Sequence, residues 1–315
     1  MAYTLKDRIT QSDTTLGVVC IASSIVWLWG AWSSRALLYG LLVCLLTAFV
    51  IVEWNNHCQL IRVRSRMSSC SWLLVMLLFP QLHTWTPVAL APIVLIFVNL
   101  LLMDRYQRAE GEGQAFYAFL LLGTGGLTLT PLFWAMVLPL WWSMASHLRI
   151  LTLRTWVATL LGLLLPLWVC FLGCYGPQLV GMEPLFRLPV PTLAWHSLFS
   201  GETAVFWHTL FSPNYPKVLA VAFFGLLTVW TYIHYRNTNY KDSIRTRQYF
   251  GLITGQALMA LFWIFFLGGG DVALRILIAL VAPFVAHYFA LTERPSGNFF
   301  FWLWTAAYIY TLYRI

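Results

Sequence analysis

Apolar residues run along this chain in long blocks, separated by short stretches that carry most of the charges, glycines and prolines. Blocks of this kind suit helices that cross a membrane, which need about 20 mostly apolar residues. They do not suit an outer-membrane barrel, whose strands alternate apolar and polar over about ten residues. The pattern predicts eleven spans, at roughly 15–32, 36–54, 70–85, 88–103, 115–129, 131–147, 155–175, 217–234, 249–268, 271–290 and 298–313. Tight turns rich in Gly, Pro, Ser and Thr, such as SSR at 33–35, TWTP at 84–87 and GGGD at 268–271, join neighbours as antiparallel hairpins. Spans three to six are only about 15–17 residues, roughly 23–26 Å against a hydrocarbon thickness of roughly 30 Å. Their outer tips carry Gln81, His83, Thr84 and LGTGGLTLTP at 122–131, which predicts a basin open to the outside.

Composition supports the same class. Of 315 residues, 60% are hydrophobic and 10% are charged, with mean hydropathy +0.74. Soluble domains carry about 25% charged residues, so this chain cannot cover a water-facing surface. The expected architecture is an all-α, polytopic bundle, a single transmembrane domain over residues 1–315 with the lipid bilayer as its main partner. The polar start, MAYTLKDRITQSDTT, reads as having no cleavable signal peptide.

Charge orients the bundle. With the N-terminus inside and the loops alternating, 14 of the 19 Lys and Arg residues fall on the inner side. The outer side receives Arg35, Arg187, Lys217, Arg275 and Arg314. This is the bias of positive-inside topology, and it predicts a cytoplasmic N-terminus and a periplasmic C-terminus in a bacterial inner membrane. The net charge of +8 is then explained by inner loops facing anionic headgroups, with no nucleic-acid partner.

The longest segment outside the spans, 176–216, becomes a periplasmic loop holding six of the 14 prolines and many aromatic rings. Within it, LAWHSLFSGETAVFWH at 193–208 reads as two short helices broken at Ser200-Gly201. His196, Glu202 and His208, with Arg187, are the catalytic candidates, since they hold the residue types of acid–base chemistry. Their spacing matches no motif, and G-x-S-x-G is missing. The preferred reading makes Trp195, Phe199, Phe206 and Trp207 interfacial anchors. At the outer start of span ten, Asp271 and Arg275 stand four apart, the spacing of a structural ion pair on one helix face. Asn99 and Gln256 are polar enough to hydrogen-bond between helices, and His147, His234 and His287 fall near inner helix ends. His57, Cys58 and Cys70 share an inner loop without a C-x-x-C pair or a fourth ligand, so neither a metal nor a cofactor is expected.

From Asn55 to Gly173 the chain resembles an uncharacterised family of multi-pass inner-membrane proteins from Bacteroidota. The resemblance rests on Asn55-Asn56, the apolar hairpin ending at Leu102, the GGLTLTP hairpin and RTWVATLLGLLLPLW at 154–168. It implies location and topology and no catalytic residue. Three functional classes stay open. The preferred one is a scaffold or assembly factor of the cell envelope. The alternatives are a glycan polymerase or ligase acting on a polyprenyl-linked sugar at the outer leaflet, similar to O-antigen polymerases in architecture, and a transporter.

Overall fold

A computed structural model describes residues 5–12, 14–29, 34–63, 65–108, 110–179, 183, 215–267, 270–292 and 295–314. Among these residues the chain is built of helices joined by short links, with no strand. The helices are α1 (Leu5–Gln11), α2 (Thr14–Leu28), α3 (Arg35–Cys58), α4 (Met67–Leu77), α5 (Ala91–Met103), α6 (Glu112–Thr128), α7 (Leu132–Ser146), α8 (Leu153–Leu179), α9 (Tyr215–Thr238), α10 (Ile244–Phe266), α11 (Gly270–Leu291) and α12 (Pro295–Arg314). The chain is a helical membrane protein, and five helices (α3, α8, α9, α10 and α11) are long and apolar enough to cross a bilayer. Backbone groups in lipid must bond within their own segment, which is why apolar runs of this length fold as helices.

The helices are layered around α11. It packs against α1, α4, α5, α9 and α10, and 89% of its apolar stretch is buried. At the periphery α8 is only 28% buried over the same measure and leans on α6. Large apolar side chains such as Trp29, Phe49, Leu138, Trp142 and Leu153 stay exposed on the outer surface, where a bilayer gives them an apolar solvent. The α6–α8 contact is made by glycines that let two backbones approach. A Cβ on Gly162 would run into the carbonyl oxygen of Phe116, and one on Gly123 would lie 3.1 Å from the carbonyl oxygen of Leu163 and 3.2 Å from the Pro166 ring. Gly162 and Pro166 belong to the RTWVATLLGLLLPLW run, so that run serves close packing of small residues.

Cross-links between helix ends divide the bundle into two faces. At one end, Ser65 Oγ donates to the Thr10 carbonyl at 2.6 Å, the Gln107 N–H to the Leu148 carbonyl at 3.1 Å, and Tyr249 Oη to the Met103 carbonyl at 2.6 Å. The basic links around 59–66, 104–108, 147–152 and 239–243 gather there, and it is called the basic end below. At the far end, Trp85 N–H donates to the Ala36 carbonyl at 3.0 Å.

The far end differs from the basin that short spans predicted. Helix α4 stops at Leu77, not 85, because Pro80 cannot continue it. Residues 78–90 instead fold inward through two 3₁₀ turns, Pro80–Leu82 and Pro87–Leu90. Leu82 and His83 are buried, and His83 stacks on Trp27 with ring centroids 3.7 Å apart. This segment fills space that the missing helical turns would have left.

Candidate functional site at the basic end

The last turn of α3, the 59–66 link, the 239–243 link and the start of α10 converge at the basic end. Gln59 closes α3 in the left-handed region at φ 51°, a C-terminal cap that reverses the chain. Asn55 steadies the reversal, its Nδ2 donating to the Ser65 carbonyl at 3.3 Å. Ser243 caps α10 by accepting from the Thr246 N–H at 3.1 Å. These elements enclose a cavity of about 460 Å³ whose wall carries Asn55, Asn56, Gln59, Arg62, Lys241, Asp242, Ser243 and Thr246.

Behind this wall lies the most buried carboxylate pair among the described residues. Asp242 Oδ2 stands 2.8 Å from His287 Nε2 on α11, with the two side chains 4% and 2% exposed. A carboxylate only accepts, so Nε2 carries the hydrogen; Nδ1 is buried without a hydrogen-bond partner. Tyr235 and Phe250 meet the imidazole edge-on at 5.2 and 5.7 Å, and the His234 ring lies 6.2 Å away. An imidazole with a free nitrogen can act as a base, but this one is sealed by aromatic rings. The pair therefore ties the 239–243 link to the central helix. Close by, Lys6 Nζ donates to the Thr292 carbonyl, joining α1 to the end of α11.

Other sequence-singled residues fall into structural contacts. Asn99 and Gln256, both fully buried, exchange two hydrogen bonds across α5 and α10 at 3.0 and 2.6 Å, as expected from their place in apolar spans. His147 Nδ1 lies 2.8 Å from Gln248 Oε1. His57 faces Asp104 at 3.5 Å, while Cys58 and Cys70 are buried free thiols. No group of three metal-ligating side chains converges among the described residues. Cys170 carries a free thiol as well.

At the far end Arg275 is buried and donates to the Thr84 carbonyl at 3.3 Å. Asp271, exposed one turn earlier on α11, acts on it electrostatically. The catalytic candidates Arg187, His196, Glu202 and His208 and the anchors Trp195, Phe199, Phe206 and Trp207 lie outside the described residues.

Burial pushes the His83 imidazole, which lies in the 78–90 link, down to about 4; nearby Arg275 adds to the effect, and a hydrogen bond to the Met76 carbonyl opposes it. Below about 6.5 the unfolded chain binds a proton that folded His83 refuses until about 4. Stability is therefore lost as pH falls through that window. A detergent melting series is expected to show a drop across it, flattened in His83→Phe, which keeps the stack on Trp27. Equal slopes in both proteins would show that His83 is not the titrating group.

No family model, curated protein or solved structure matches the chain. The reading of its function therefore rests on the geometry above. Sequence reasoning did not anticipate the Asp242–His287 tie or the cavity beside it. The one available signal was a histidine inside an apolar helix, which by itself names no partner.

Proposed function

We propose that this chain is a multi-pass protein of the bacterial inner membrane, crossing eleven times with its N-terminus in the cytoplasm and its C-terminus in the periplasm. In this reading it serves as a scaffold or assembly factor for a cell-envelope complex. The carrying observation is the filled centre of the bundle. Helix α11 is enclosed along its length, and Asn99 and Gln256 spend their amides on each other. A transporter needs broken helices and polar groups at mid-depth that can release cargo, and this centre offers packed apolar side chains and a self-satisfied pair. The resemblance of residues 55–173 to multi-pass proteins of Bacteroidota supports the same location.

Orientation rests on the distribution of Lys and Arg. A reporter fused after Arg66 or Lys241 is expected to signal cytoplasm, and one near Glu202 periplasm. Matching compartments at Arg66 and Glu202 would overturn the eleven-span topology.

The scaffold role is tested in segment 193–208, where a glycan polymerase or ligase would keep its acid, base or clamp. For a scaffold with an interfacial anchor, His196→Ala, Glu202→Gln and His208→Ala should match wild type in yield, detergent melting and envelope phenotype. Trp195→Ala and Trp207→Ala should lower yield and melting, because rings at an interface bury large apolar area while keeping a polar edge wet. A stably folded His196→Ala or His208→Ala with a null phenotype would replace the scaffold by chemistry on a polyprenyl-linked sugar.

A further inference from the structure

We infer that the cavity at the basic end binds a phosphate ester bearing hydroxyl groups, either the glycerol-phosphate headgroup of an anionic lipid or a soluble polyol phosphate. The inference goes beyond the scaffold reading and holds for either orientation of the chain. The cavity's volume of about 460 Å³ falls in the range of small-molecule sites, roughly 300–1,000 Å³. Two cations reach its wall from separate links, Arg62 and Lys241, both with exposed side chains. Thr246 adds a hydroxyl, which also shares a 2.9 Å hydrogen bond with Ser243, and the first turn of the 23-residue α10 adds the positive end of a helix, which favours anions. These are more donors than the two oxygens of a carboxylate can use, and they match the several acceptor oxygens of a phosphate.

Asn55 makes the ligand more specific. It lines the cavity, is 8% exposed, and its Oδ1 is buried with no hydrogen-bond partner. An orphaned acceptor beside two cations calls for a ligand that also donates, as a glycerol hydroxyl does. The lining's single carboxylate, Asp242, has a side chain only 4% exposed that is directed to His287 at 2.8 Å. The cavity also opens where α3 ends and the apolar blocks give way to charged links. That is headgroup depth, where basic pockets between helices meet lipid phosphates.

The test uses the full-length protein, purified and delipidated. Phosphatidylglycerol is titrated in native mass spectrometry, and sn-glycerol 3-phosphate is titrated in detergent melting. Arg62→Gln/Lys241→Gln is compared with a charge-matched control at the same end, Arg108→Gln/Arg236→Gln. Loss of one phosphatidylglycerol site, about tenfold weaker in the cavity variant and unchanged in the control, supports a lipid source. Stabilisation by glycerol 3-phosphate in wild type and control but not in the cavity variant supports a soluble source. If the double variant does not fold, Lys241→Gln and Arg62→Gln are used singly. Equal response of wild type, control and folded cavity variants to both probes overturns the site, as does an equal loss in cavity variant and control.

Discussion

Gly40→Ala is expected to be among the most damaging single-methyl changes in the chain. Gly40 lies on α3, where the inward-folded 78–90 segment crosses it. A Cβ there would run into the carbonyl oxygen of His83, with the Trp85 nitrogen 3.3 Å away. The atoms it meets are backbone, held by the Trp85–Ala36 hydrogen bond and the stack of His83 on Trp27, so no side chain can swing aside. Overpacking costs about 1–3 kcal/mol where neighbours can adjust; here the cost should be at or above about 3 kcal/mol. In detergent melting the variant should fall well below wild type or fail to accumulate. Gly225→Ala, where a Cβ meets nothing within 4 Å, is the matched control and should be neutral or slightly stabilising. Equal melting of Gly40→Ala and Gly225→Ala would mean that the 78–90 segment does not rest on α3.

Asp242→Ala should have an effect of similar size. It would leave the His287 Nε2–H buried without an acceptor in a pocket of aromatic rings, and stranding a buried polar group whose partner was charged costs about 3 kcal/mol. Asp242→Asn keeps an acceptor oxygen in place and should lose less. Replacing both partners, as in Asp242→Ala/His287→Leu, should cost less than the two single changes summed, because the tie is lost only once. Strict additivity in that cycle would show that the two side chains do not interact. The loss should also loosen the 239–243 link, seen as faster backbone hydrogen exchange at residues 239–243, since the link is anchored to α11 through this contact.

Helix positions were legible because hydropathy and backbone chemistry agree in lipid. The predicted spans at 36–54, 88–103, 131–147 and 271–290 overlie α3, α5, α7 and α11 closely. The misses have local causes. Helix α10 begins at Ile244, not 249, because Ser243 caps a polar first turn, IRTRQ, that a hydropathy window rejects. Helix α9 runs on to Thr238 for the same reason, through YRNT. Helix α4 ends early because Phe79-Pro80 breaks it, and the apolar residues after the break pack as 3₁₀ turns.

Partners were legible only where a polar residue sat alone in an apolar span. Asn99 and Gln256 had to find hydrogen bonds inside the bundle, and each was the nearest solution for the other. The sequence by itself determined that the chain is helical and membrane-embedded and where its helices lie, since a long apolar run has one way to satisfy its backbone in lipid. The tertiary structure alone decided that α11 is central and α8 peripheral. Both helices are apolar over most of their length, so hydropathy by itself does not tell which one is enclosed by protein and which faces lipid. It also decided that Asp242 meets His287 across 45 residues, and that links distant in sequence close around one polar cavity. Those contacts depend on which helices are neighbours, and neighbours are chosen by side-chain shape and close backbone approach at residues such as Gly40 and Gly162.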